Sequence, residues 1–260
     1  MEDRAQARPW RTPEEPVEIG FSRSRVVMMN EAHSGDERCV RTREIGRRIL
    51  PAVHGRGVQH LAMEALIVPF VEEANRTRQS PEVPADYGYL AQPDMKALMQ
   101  AALDLGWTLV PYEADFSLQP PGLSHRAENN WREEMQARNL AAALNALPVD
   151  AKLLVWCGWA HHNKVPVLPG PGDSDADEPW LLMGYHFKEL SSIDPFVIDQ
   201  TLTVHLPGLA QYRQDWLEKI TPQLTSLGGT AGFLREEAPL CLKLEDGVDA
   251  WIASLDNEME

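Results

Sequence analysis

Four short apolar runs punctuate the first two thirds of the chain, and each runs straight into acids or histidines. They are RVVMMN (25–30) before EAHSGD, HLAMEAL (60–66), WTLVPY (107–112) before Glu113 and Asp115, and KLLVW (152–156) before GWAHHNK. Runs this short and this continuously apolar read as strands buried on both faces. Stretches with helical spacing lie between them. Glu37 to Leu50 carries Val40, Ile45 and Ile49 among arginines and stops at Pro51, Gly55 and Gly57. Asp94 to Leu105 stops at Gly106. Asn129 to Leu147 opens with Asn130 as a cap and Glu133 three residues on, the pattern of a capping box. The order β-α-β-α-β-α-β predicts an α/β fold with a mostly parallel central sheet flanked by helices.

Flanking regions are less regular. Residues 1–22, rich in Pro, Arg and Glu, predict an irregular lead-in, and 23–260 a single α/β domain whose C-terminal third extends the sheet and pocket. Trp180 to Phe187 reads as a strand or a buried turn, Phe196 to Val204 as a strand, and Gln211 to Ile220 as a helix. The polar, proline-marked stretch from Asn75 to Gln92 reads either as a lid over a pocket or as a static surface loop.

A formal net charge of -15 removes the basic footprint that nucleic acid or an anionic membrane requires. The three cysteines Cys39, Cys157 and Cys241 make neither a disulfide framework nor a metal knuckle. The N-terminus has no apolar core of a signal peptide, and no stretch approaches a membrane span. The expectation is a cytoplasmic protein whose partner is a small-molecule or peptide substrate, with the oligomeric state left open.

Open α/β sheets bind ligands outside the carboxyl ends of their strands. At that edge the first run supplies Glu31 and His33, the second Glu64, the third Glu113, and the fourth His161 and His162. A histidine polarised by a carboxylate takes a proton from water. Alternatively, imidazoles and a carboxylate hold a divalent metal that acidifies its bound water, with Glu31, His33 and His161 as the candidate ligands. The spacing leaves both readings open. Arg132, placed in the first turn of its predicted helix, is positioned to reach a carboxylate or a substrate anion. His54 and His60 fall at the opposite end of the second run and read as structural.

These motifs resemble a superfamily that joins the erythromycin esterases, the ChaN-type haem-binding proteins and the TIKI proteases. The carrying segments are VVMMNEAHSGDE, HLAMEAL, WREEMQARNLAAAL and LLVWCGWAHHNKV, in order over about residues 25 to 165. The resemblance implies that Glu31, His33, Glu64, Arg132 and His161 line one site. It makes His33 the base, Glu31 and Glu64 its orienting acids, and His161 a substrate-binding or proton-sharing group; Arg132 and, from their strand-end positions, Glu113 and His162 are the candidates for binding substrate. The implied activity is that of a hydrolase or related acid/base enzyme: esterase, lactonase, amidase, peptidase or lyase. It also suggests a place in natural-product tailoring or resistance. The ChaN branch adds an alternative, a haem- or iron-binding protein, with Tyr87, Tyr89 and Met95 as axial-ligand candidates. Only Ala32 separates Glu31 from His33, and Gly158 stands where the esterases carry the first of paired histidines. Both features lean towards the ChaN and TIKI branches.

Overall fold

The structure is a computed structural model and describes residues 10–32, 37–84, 88, 90–168, 178–201, 211–238 and 244–255, with backbone only for 37–39 and 211–217. A central strand of a parallel sheet needs no polar alternation. β1 (Val26–Glu31) has none, and all of its residues are buried. β4 (Lys152–Gly158) lies between β1 and β2 (Val58–Met63), so that Met29 and Met63 both stand opposite Trp156. β3 (Thr108–Pro111) flanks β2. Beyond β1 follow β5 (Phe196–Asp199), β7 (Ala250–Ser254) and β6 (Thr230–Leu234). The sheet of seven strands has the order β3-β2-β4-β1-β5-β7-β6, parallel except for the antiparallel β6–β7 pair.

Helices cover both faces. On one face α1 (Glu14–Arg23), α2 (Glu37–His54), α3 (Val68–Thr77) and α4 (Pro93–Asp104) pack over Val27, Met29, Leu61 and Met63. On the other, α5 (His125–Ala146) and α6 (Met183–Ser191) cover Met28, Ala62 and Val155, and α7 (Gln211–Ser226) covers Val197 and Trp251. The fold is thus an α/β fold in three layers. β1 leaves towards the α2 layer, whereas its neighbour β4 leaves towards α6. Adjacent strands that exit to opposite faces open a crevice at their carboxyl ends, the usual place for a ligand in such sheets.

Several expectations change. The lead-in is not irregular throughout: residues 14–23 form α1, which seats Val17 and Phe21 on the sheet, with Pro16 in the first turn where its missing N–H costs nothing. α2 continues through Pro51 to His54. The carbonyl that loses its donor to that proline is that of Arg47, an exposed residue, where water is free to donate to it. α5 starts earlier than predicted, because the Ser124 hydroxyl accepts from Ala127 N at 3.2 Å and caps it. Arg132 therefore lies beyond the first turn. The segment 180–187 is neither strand nor turn. Trp180 makes an isolated bridge with Val167, and Met183 and Phe187, one helical turn apart, bury α6 against α5. Asn75 belongs to α3, where its amide exchanges hydrogen bonds with the backbone of Leu109, and Val83 and Leu90 sink into the α2–α4 layer. Among the described residues, no helix is long and apolar enough to cross a membrane.

Candidate active site

Glu64 stands one residue past β2. Its backbone N–H still donates to Trp156 O at 3.1 Å, and its carboxylate accepts from Gly158 N at 2.7 Å. The next residue, Ala65, has φ of 62°, and Trp159, just past β4, has φ of 43°. Both are non-glycine residues held in the left-handed region, which costs of order 1–3 kcal/mol each and clusters at functional sites. Ala65 N donates to Glu113 at 3.0 Å, so this strained turn ties the exit of β2 to that of β3.

Arg132 bridges the two carboxylates. It donates to Glu64 at 2.7 Å and to Glu113 at 3.1 and 2.8 Å, while Gln136 donates to Glu113 at 2.9 Å. Burial works against the guanidinium charge, but the hydrogen bond to Glu113 and the charge of Glu64 outweigh it and raise its pKa further. His161 sits in the turn after β4. Its Nδ1–H donates to Glu133, and its Nε2 lies 3.4 Å from Glu64 Oε1. The second oxygen of Glu133 accepts from Met183 N at 2.7 Å and so ties α5, α6 and the His161 turn together. Burial by itself pushes the imidazole down. The charges of Glu64 and Glu133 and the hydrogen bond to Glu133 prevail over burial and Arg132, and hold it at about 9. His161 is therefore an imidazolium at neutral pH.

α6 approaches this turn at Gly184, whose N–H donates to His161 O at 2.8 Å. A Cβ there would stand 2.1 Å from His162 O. Gly184→Ala is expected to cost about 1–3 kcal/mol, because backbone rather than a side-chain tip must move. An unchanged midpoint in denaturant unfolding would show that the contact yields freely.

The sequence-derived candidates divide. Glu64, Arg132, Glu113 and His161 converge. Glu31 does not join them: it faces the α2 layer, where Arg43 donates to both its oxygens at 2.7 Å and Trp156 Nε1 donates at 3.0 Å. It lies on the opposite sheet face from the Glu133–His161 pair, so the proposed sharing of a metal by Glu31 and His161 is corrected. Among the described residues, no group of three or more His, Cys, Asp or Glu side chains is arranged to hold a metal ion. His33 lies outside the described residues. His162 is 2 % exposed, its two ring nitrogens lack hydrogen-bond partners and its nearest carboxylate is Asp199 at 3.8 Å. It offers no surface to a substrate in this arrangement, and burial, its largest influence, pushes its pKa down. Met95 is fully buried on α4 in the layer that packs against α2; Tyr87 and Tyr89 lie outside the described residues. His54 accepts from Trp107 Nε1 at 2.9 Å, and His60 pairs with Thr108 Oγ1 at 2.6 Å.

Sequence reasoning missed Glu133 and Gln136 as members of the site. Their signal was present: Arg132, Glu133 and Gln136 lie within one turn or so of a helix, where residues three or four apart share a face.

No protein-family profile and no curated protein sequence matches the chain. Among solved structures, the type III effector HopBA1 superposes with a TM-score of 0.50 at 12% identity, over 98% of this chain and 100% of that one. The RRSP effector domain of a MARTX toxin from Vibrio vulnificus gives 0.44 at 19% identity, over 60% of this chain and 31% of that chain. ChaN of Campylobacter jejuni, described with cofacial haem, gives 0.47 at 8% identity, over 74% and 86%. The chain spans about a third of the length of the first toxin chains it matches. HopBA1 is similar in fold along the whole of its length.

Proposed function

We propose that the chain is a hydrolase-type acid/base enzyme acting at a carbonyl, as an esterase, lactonase, amidase or peptidase. The carrying observation is which charges of the cluster reach solvent. The side chains of Arg132 and His161 are 25% and 17% exposed, whereas Glu64, Glu113 and Glu133 are 4%, 6% and 3%. The carboxylates are spent inside, orienting two cations that face outwards from an otherwise acidic protein. Paired donors of this kind stabilise the negative charge that develops on an oxygen during acyl transfer. Arg132 holds the oxygen. His161, an imidazolium kept in its tautomer and orientation by Glu133, donates a proton to the leaving group. Glu64 aligns both. By the family resemblance, His33 is the base that activates water.

Testing this needs turnover on a panel of esters, lactones and peptides by wild type and Glu133→Gln. An acid with a pKa near 9 predicts that kcat/KM falls as pH rises through about 9. Glu133→Gln removes one of the carboxylates that raise it, so the alkaline limb should move down by about one to two pH units. A limb that stays where it was in the variant would remove His161 from the acid role.

A further inference from the structure

A cavity of about 640 Å³ opens beside the cluster, between the chain entering α3 and the chain joining β3 to α5. Glu113 and Phe116 belong to its wall, and the Arg132 guanidinium lies 5.9 Å from the Phe116 ring centroid. The partly exposed cation of the site therefore adjoins the wall that Glu113 and Phe116 supply. The volume lies within the range of small-molecule pockets, about 300–1,000 Å³.

Most polar groups of the wall are already engaged. Both oxygens of Glu113 accept from Arg132, and further bonds come from Gln136, Ala65 N and Ala114 N. Asp115 accepts from Ser117 N and its hydroxyl at 3.0 and 2.6 Å, and the Asn139 amide donates to Glu113 O at 2.9 Å. The Tyr112 hydroxyl is turned inwards to Trp156 O at 2.9 Å. Apart from Asp115 Oδ2, what the wall leaves open is chiefly apolar, from Ile67, Val68, Phe116 and Ala142. Val68 and Phe116 remain 54% and 55% exposed. Apolar surface standing beside engaged polar groups favours an apolar occupant, because a polar one would lose water without gaining partners.

We infer that this cavity takes an apolar side group of the substrate, an acyl chain or aromatic ring attached to the carbonyl that Arg132 holds. The inference rests on the proposed role of Arg132 and names the substrate class: acyl compounds with a substantial hydrocarbon part.

Binding can be read without turnover. Calorimetric titration of acetate, butyrate, hexanoate and decanoate into the whole chain should show affinity rising with length, by up to about fourfold for each methylene buried. Ala142→Phe adds a ring at an exposed helical position in the wall, where the fold tolerates it, and should drop the longer members to the affinity of acetate. Arg132→Met should weaken the whole series. A series that is flat or shows no binding in wild type overturns the inference. So does a length dependence that survives Ala142→Phe, since the tail then lies elsewhere. Failure of His161 as an acid would leave these titrations untouched, so the two readings fall separately.

Discussion

Asparagine at position 161 is expected to lower kcat/KM by about 10²–10⁴-fold, the usual contribution of a positioned general acid. Asparagine retains a hydrogen-bond donor for Glu133 but has no proton to deliver. The same variant carries a second, independent readout in stability. The His161 imidazole titrates near 6.5 when unfolded and at about 9 when folded. The folded state thus binds the proton more tightly. Its stabilisation is fully present below about pH 6.5 and is lost as pH rises through about 9, by up to about 3 kcal/mol. Denaturant curves between neutral pH and pH 10 should show this decline in wild type, and His161→Asn should lack it. A variant that declines in parallel with wild type would mean that His161 is not the imidazolium the geometry makes it. Turnover retained in a folded His161→Asn would end its catalytic role.

Arg43→Met is expected to destabilise the chain by about 3–5 kcal/mol, as for a buried ion pair that loses one member. Arg43 and Glu31 are both fully buried, joined by two bonds of 2.7 Å, and Arg43 also reaches Gln92 and, at 2.7 Å, Asp94. Removing the guanidinium takes two donors and the balancing charge from the buried Glu31 carboxylate below the sheet's carboxyl edge, where it can neither be solvated nor protonated without cost. The double variant Glu31→Met/Arg43→Met removes both charges at similar volume and should recover at least half of the loss. Equilibrium unfolding of the single and double variants checks this as a cycle. A single-variant loss of less than about 1 kcal/mol would show that solvent reaches the pair.

The mostly parallel α/β class and the edge that carries the site were legible because both follow from local signals, whereas the order β3-β2-β4-β1-β5-β7-β6 was not. Continuous apolar runs mark central parallel strands, and polar residues directly after them mark the binding edge. Glu64, Glu113 and His161 were named on that logic, and the cluster contains them; Arg132 was named from the start of its helix. The helix starts were less legible. Asn130 and Glu133 make a convincing capping box, yet Asn130 accepts from Leu181 N at 3.0 Å and Glu133 is taken by His161 and Met183. A cap and a tertiary partner use the same side-chain oxygens, and which one wins depends on what the fold brings near. Likewise α6 could not be told from a strand, since a short apolar segment carries too few turns to show a period.

The sequence by itself determined an α/β sheet with its acids and histidines at one edge, through the burial demand of uninterrupted apolar strands. Only the tertiary structure decided on which face each of them lies. The apolar stretches Val26–Met29 of β1 and Leu61–Met63 of β2 show no alternation, so nothing local reveals the side to which Glu31 or Glu64 points. Pairing with β4 settles it: Glu31 stands opposite Gly158, whereas Glu64 follows Met63, which stands opposite Trp156. A one-residue difference in register sends neighbouring carboxylates to opposite faces. That offset gives Glu31 to Arg43 in the core and Glu64 to Arg132 and His161 in the crevice.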